Sequence, residues 1–290
     1  MNEFKNFLIT GINGFIGKKL AEELKKRKYY VIGLDKNEIY ANLYANYKFD
    51  ITSWEELKKI EKKIDCIIHL AAVTDNRTER NLIYKVNVSG TSNICKLGAK
   101  LNVKKIIYLS TVSVYSSYDK KYIDENTQIE PVNYYGETKY KAEEIITNCG
   151  INYTILRPTN IFSDSEDKWS EYFGRVKNTG KDFGILFYRN RNIHLLFVKD
   201  LINVVIKCID DEKSSNNIFI VADNEEYYNE KNVFKVLLNA YNSKKKLLLH
   251  PLDFFDKKKD IRIFSEQKLL HTLNYRHQYG VDSGLKQRFN

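Results

Sequence analysis

No two cysteines in this chain are spaced to share a metal ion or staple a loop. Cys66, Cys95, Cys149 and Cys208 are far apart in 290 residues, and no two of them form a C-x-x-C pair. That spacing excludes a zinc ribbon and a disulfide framework, and no metal site is expected. No apolar run approaches the ~20 residues that a membrane span needs. The first residues pass straight into a short apolar run. They lack the basic region and apolar core of a secretory signal, so a cytoplasmic protein is expected. The sequence shows no internal repeat and no low-complexity tract.

Acidic residues are also in deficit: 37 Asp and Glu stand against 47 Lys and Arg, a net charge of +10. Such an excess raises the question of a nucleic-acid or anionic-membrane partner. The basic runs "KKRK", "KKIEKK", "SKKKLLLH" and "DKKKD" are interleaved with Glu or Asp or fall on helix faces. That is the pattern of solvated surface lysine, so neither specific nucleic acid nor membrane is expected. The surplus can still attract an anionic small molecule. A hydrophobic fraction of 43% is that of a globular chain with a sizeable core.

What the chain does have begins with "FLITGINGFIGKKLAEELKK". Phe7, Leu8 and Ile9 read as a buried strand. From Phe15 onward, Ile16, Leu20 and Leu24 recur at helical spacing, with lysine and glutamate on the other face. Gly11, Gly14 and Gly17 therefore lie at a strand-to-helix turn. Glycine there permits a tight turn and a close approach of backbone. The helix start offers unpaired N–H groups and a positive dipole end, together a socket for phosphate. A dinucleotide site is the reading. The next apolar run, "YYVIGLDK", ends in Asp35, 18 residues after Gly17. A carboxylate there accepts hydrogen bonds from ribose hydroxyls and repels a 2′-phosphate, so NAD is expected. Lys36 directly after it keeps NADP as the alternative.

Strands and helices alternate onward: "YKFDI", a helix from Ser53 with Glu56 three residues on, "CIIHLAA", a helical pattern from about 79 to 101, "KKIIYLS", a helix from about 134 to 149, and "NYTILRP". That rhythm predicts an α/β fold with a doubly wound parallel sheet of Rossmann type. The expected organisation is a cofactor domain over residues 1–160, with 195–222 returning to it. A small C-terminal substrate lobe is expected from 161–194 and 223–290.

In an open parallel sheet, ligands bind beyond the carboxyl ends of the strands. Asp50, Ile51, Leu70, Ala71, Ala72, Ser110 and Thr111 stand at such ends. At a helix start comes "YYGETKY". Tyr135 and Lys139 are four apart and share a helix face. A phenol is a poor base at neutral pH, and a neighbouring ammonium is expected to lower its pKa. Thr111 can hold the reacting hydroxyl. The three together suit proton transfer coupled to hydride transfer.

With these residues in view, the chain resembles the extended short-chain dehydrogenase/reductases of the NAD-dependent nucleotide-sugar epimerase/dehydratase family. The resemblance rests on "TGINGFIG", Asp35, "HLAA", "NVSGTSNI", "YLSTVSVY", "YYGETK", "LRPTNIF", "FVKDL" and "FSEQKLLHTLNY", in family order over nearly the whole chain. It implies that Gly11, Asn13, Gly14, Phe15, Ile16 and Gly17 line the pyrophosphate. Asp35 would hold the adenosine ribose, and Asp50 and Ile51 would touch adenine. Leu70, Ala71, Ala72 and Pro158 would flank the remainder of the cofactor, and Asn87 would support the site. Thr111, Tyr135 and Lys139 would be catalytic, Lys139 also meeting the nicotinamide ribose. Thr111, Asn160 and Arg191 would meet the substrate, and a homodimer is implied.

The departures narrow the reaction. In the 4,6-dehydratases of the family an Asp-Glu pair follows the catalytic threonine; here the positions are Val112 and Ser113, which excludes that elimination. The family's "YGP" is replaced by Phe162-Ser163-Asp164, and Ile193 replaces an arginine that clamps a diphosphate. Arg189 and Arg191 are near in sequence and can substitute. The expected activity is hydride transfer at a sugar carbon, carbon 4, of a nucleotide-linked sugar, as an NAD-dependent epimerase. A 4-keto-sugar reductase is the alternative. A non-catalytic cofactor sensor or RNA-binding member of the fold is disfavoured by the presence of Tyr135, Lys139 and Thr111. His69, inside an apolar strand, is read as a packing residue; His194 is read as either packing or substrate contact.

Overall fold

The computed structural model describes residues 4–115, 122–165, 169–174, 184–223, 229–251, 260 and 262–289. The first apolar run is β1 (Asn6–Thr10). The amphipathic stretch behind it is α1 (Phe15–Lys26), which buries Leu20, Ala21 and Leu24. β2 (Tyr30–Asp35) and β3 (Ala45–Lys48) follow. β3 begins two residues before the expected "YKFDI" strand and stops at Lys48. It is the outermost strand of its sheet and none of its residues is buried, so no apolar run marks it. Ser53 caps α2 (Trp54–Leu57), its hydroxyl accepting the Glu56 N–H at 3.4 Å. The Glu56 carboxylate turns back to accept the Asp50 N–H at 2.6 Å, a variant of the reciprocal cap.

β4 (Cys66–His69) leads to a helical stretch in three parts: α3 (Arg80–Tyr84), a π turn over Lys85–Gly90, and α4 (Thr91–Lys100). After β5 (Lys105–Leu109) come β6 (Tyr122–Ile123), α5 (Tyr134–Thr147), β7 (Asn152–Pro158) and β8 (Asn160–Phe162). The remaining elements are α6 (Ser170–Gly174), β9 (Ile185–Tyr188), β10 (Leu195–Phe197), α7 (Val198–Asp210), β11 (Asn217–Val221), α8 (Glu230–Ala240), β12 (Lys246–Leu249), β13 (Ile263–Phe264), α9 (Gln267–Leu273) and α10 (Gly280–Phe289).

Seven strands form one parallel sheet in the order β11-β7-β5-β4-β1-β2-β3. β1 pairs with β2 on one side and β4 on the other, so the strand order reverses there and a crevice opens beyond their carboxyl ends. Strands buried on both faces need apolar residues pointing both ways. β5 supplies them: Ile106 and Tyr108 enter the core under α4 and α5, and Ile107 enters the opposite core. β8–β10, β9–β12 and β6–β13 form separate two-stranded parallel pairs. Among the described residues no helix is long and apolar enough to cross a membrane.

Candidate active site

The glycine turn sits at the mouth of the crevice. Gly11 has φ +69°, and a Cβ there would lie 2.9 Å from the Ala71 Cα. A Cβ on Gly17 would come within 2.5 Å of the Gly11 carbonyl oxygen. Glycine is therefore required for the first turn of α1 to fold against its own loop and against the residues after β4. Gly14 caps α1 without a side chain, and no acidic residue stands in its first turn. The positive helix end is left for an anion, which fits the pyrophosphate of a dinucleotide. Asp35, at the end of β2, braces the same loop: its carboxylate accepts the Asn13 N–H at 3.1 Å and the Asn37 N–H at 3.0 Å. The Asn13 side chain donates to the Glu38 carbonyl at 2.9 Å. Phe15 and Ile16 are partly exposed at the helix start. Ile51 is buried against Gly90, where a Cβ would meet its Cδ1 at 2.6 Å, and Asp50 accepts the Thr52 N–H.

The opposite wall is held by a buried polar chain. The Leu70 and Ala71 N–H groups both donate to the Thr10 hydroxyl at 3.2 Å. Thr10 Oγ1 is 2.7 Å from His69 Nδ1, and His69 Nε2 is 2.9 Å from Thr91 Oγ1. Thr91 donates its own proton to the Asn87 carbonyl at 2.6 Å, so it must accept from Nε2–H, and Nδ1 accepts from Thr10. This order makes His69 neutral. Burial, with the Lys139 charge as a smaller cause, pushes its pKa down to about 3. His69 is thus a packing residue, as its strand context indicates. Asn87, on the π turn, accepts the Val73 N–H at 2.8 Å. Its amide donates to the Val73 carbonyl at 3.0 Å and the Thr138 hydroxyl at 3.1 Å. Helical irregularity of this kind often re-aims a side chain at a site. Here it joins the loop after β4, which carries Ala72, to α5.

Thr111 follows β5 and caps a 3₁₀ turn, Val112–Val114, accepting the Ser113 N–H at 3.1 Å and donating to the Ser113 hydroxyl at 3.2 Å. α5 docks on that turn. A Cβ on Gly136 would lie 2.3 Å from the Ser113 carbonyl oxygen, and Val132 N–H donates to the same oxygen at 3.1 Å. Asn133 caps α5 by accepting the Gly136 N–H at 2.8 Å. Tyr135 and Lys139 descend from that cap four residues apart on one face of the helix whose Gly136 meets the Thr111 turn. Tyr135 is partly buried and Lys139 is 2% exposed. Burial pushes the Tyr135 phenol well above its ordinary range and the Lys139 ammonium down to about 7. The sequence led to the opposite expectation for the phenol. Desolvation acts against both charged forms, and for Lys139 it outweighs the opposing charge of Glu143.

Beneath the trio lies a network that the sequence reading did not single out. Glu143, one turn beyond Lys139, is 2% exposed. It accepts from Arg157 Nε at 3.0 Å, from Arg157 Nη2 at 2.6 Å, and from the Ser110 hydroxyl. Arg157 also donates to the Tyr115 hydroxyl. The spacing Tyr135, Lys139, Glu143 on one helix face was the available signal. Pro158 ends β7 opposite Val221.

The residues expected to meet the substrate from the lobe are separately engaged. Asn160 donates from its amide to the Ile193 carbonyl at 2.6 Å. The Arg191 guanidinium pairs with the buried Glu230 carboxylate at 2.8 Å, which also accepts from Tyr172 at 2.9 Å and from the Arg189 N–H. Arg191 therefore holds a carboxylate while its side chain remains 42% exposed. His194, at φ +36°, bonds to the Arg262 carbonyl and packs edge-on against Phe264 at 5.0 Å, a packing role.

Residues 7–222 match the family model described as "NAD dependent epimerase/dehydratase family". An uncharacterised protein of Methanocaldococcus jannaschii is 27% identical over 99% of this chain and 96% of its own length. An N-acetyl-alpha-D-glucosaminyl-diphospho-ditrans,octacis-undecaprenol 4-epimerase of Escherichia coli O157:H7 is 32% identical over 55% of this chain; the match spans 50% of that relative. The crystal structure of UDP-glucose 4-epimerase with UDP-glucose from Thermotoga maritima has the same fold. Its TM-score is 0.82 at 22% identity, covering 98% of this chain and 97% of that one.

Proposed function

This chain belongs to the NAD dependent epimerase/dehydratase family, whose cofactor is NAD, and from that premise we propose that it inverts carbon 4 of a nucleotide-linked sugar. One observation carries the choice of reaction. The turn that presents Thr111 continues as Val112 and Ser113, so neither of the two positions that follow it carries a carboxyl group. Elimination of water needs a second acid and base; inversion needs one proton handler at one oxygen.

Gly11, Asn13, Gly14, Phe15, Ile16 and Gly17 hold the pyrophosphate at the α1 terminus, and Asp35 selects the unphosphorylated ribose. Leu70, Ala71, Ala72, Asn87 and Pro158 bound the crevice. Residues 161–194 and 223–290 form the substrate lobe, with Asn160 at its border. NAD, when bound, supplies a reversible hydride acceptor. Thr111 holds the sugar oxygen by a hydrogen bond. Tyr135 takes the hydroxyl proton and returns it after the keto sugar has turned its other face. Lys139 stabilises the phenolate, and its influence grows once water is excluded.

The test is turnover by the purified protein without added cofactor. Tightly held NAD, released on denaturation and identified by mass spectrometry, together with interconversion of UDP-sugars, is the expected result. Strict dependence on added NADPH would replace inversion by keto-sugar reduction.

A further inference from the structure

Lys139 lies almost fully inside the protein, yet Glu143, one turn on, is committed to Arg157 and Ser110. What its ammonium meets is an aromatic face: Lys139 Nζ is 4.1 Å from the centroid of the Tyr108 ring. That is well inside the ~6 Å at which a cation and a ring attract. Tyr108 is 1% exposed, and its ring lies 5.4 Å from that of His69 on the neighbouring strand. The register sets His69 directly beside Tyr108.

We propose that Tyr108 is a positioning residue: the face of its ring seats the Lys139 ammonium and favours its charged form without neutralising it. The proposal rests on the reading of Tyr135 and Lys139 as the proton-handling pair. A carboxylate in that seat would bind the ammonium more strongly, but it would cancel the positive field that must reach the phenol. A ring has no net charge. Its quadrupole attracts the cation and leaves the full charge acting on Tyr135.

The titratable and charged groups facing Lys139 are few. Tyr135 and Glu143 lie on its own helix, Tyr108 on β5 and His69 on β4, with Arg157 of β7 behind Glu143. His69 is neutral, and Arg157 is paired. Burial favours the uncharged amine and Glu143 opposes it; the proposed ring seat acts in the same direction as Glu143.

The experiment compares the full chain with Tyr108→Phe and Tyr108→Leu. NMR of protein carrying lysine labelled with nitrogen-15 at Nζ, followed at the Lys139 amine over a series of pH values, reports the protonation midpoint of that buried amine without substrate. Removing the ring is expected to lower the midpoint by about one pH unit. Tyr108→Phe keeps the ring and is expected to track the wild type. In kinetics, the alkaline limb of the kcat profile should move to lower pH in Tyr108→Leu, with KM for the sugar unchanged, and return in Tyr108→Phe. Tyr108→Met fills similar space and reads the same quantity should the leucine variant fail to fold. A midpoint identical in wild type and the ring-less variants overturns the proposal. So does a phenylalanine variant that moves as far as leucine. A shifted midpoint in a protein that turns over no nucleotide sugar supports the ring seat while defeating the proposed reaction.

Discussion

Replacing Glu143 by leucine should cost the fold far more than any surface charge change. The Glu143 and Arg157 side chains are 2% and 4% exposed, and two guanidinium nitrogens rest on the carboxylate at 3.0 and 2.6 Å. Glu143→Leu leaves a buried cation facing alkyl carbon; Arg157→Met leaves a buried anion. Breaking such a pair from one side costs about 3–5 kcal/mol, a large share of the roughly 5–15 kcal/mol that holds a domain together. At roughly 2–4 °C per kcal/mol, the melting temperature should fall by about 6–20 °C in either single variant. The double variant removes both charges at once. It should recover part of the loss, because desolvation of the unpaired partner disappears. Recovery stays incomplete, since the Ser110 and Tyr115 hydroxyls lose their partners too. The assay is thermal and urea unfolding of the four proteins in a double-mutant cycle, with an expected coupling of at least ~2 kcal/mol. Additivity within ~0.5 kcal/mol would refute the reasoning, because it would mean that the two charges do not share a dry site.

Tyr135→Phe should keep the melting temperature and NAD affinity while turnover drops by about 10²–10⁴-fold, measured by steady-state kinetics and NAD titration. Gly17→Ala would place a Cβ 2.5 Å from the Gly11 carbonyl and 2.8 Å from that of Ile12. Loop and helix must separate, so NAD affinity measured by calorimetry should fall at least ~10-fold and stability by about 1–3 kcal/mol. His277 should make stability fall at high pH. Burial opposes its charge, but the hydrogen bond to Glu266 and the charges of Asp200 and Asp223 prevail and raise its pKa to about 9. A raised histidine pKa contributes fully below about 6.5, and the contribution is lost as pH rises through about 9. Melting curves should show a loss on the order of 2–4 kcal/mol across that window, flattened in His277→Gln. An equally steep pH dependence in that variant would assign the effect elsewhere.

Local chemistry determined much of this protein. A run of buried aliphatics, three glycines and an amphipathic stretch specify β1, the turn and α1, because each signal acts between residues close in sequence. The Ser53 cap, the bounds of β7, and the shared face of Tyr135 and Lys139 follow in the same way. The β3 boundary did not, since an edge strand carries little apolar pattern. The tertiary structure decided the rest: the strand order that opens a crevice between β1 and β4, the pairing of Glu143 with Arg157, the hold of Glu230 on Arg191, and the neutral form of His69. It also reversed the expected direction for the Tyr135 phenol. A pKa depends on the summed desolvation and charge of every element packed around a group, whereas a helical period depends only on its neighbours along the chain.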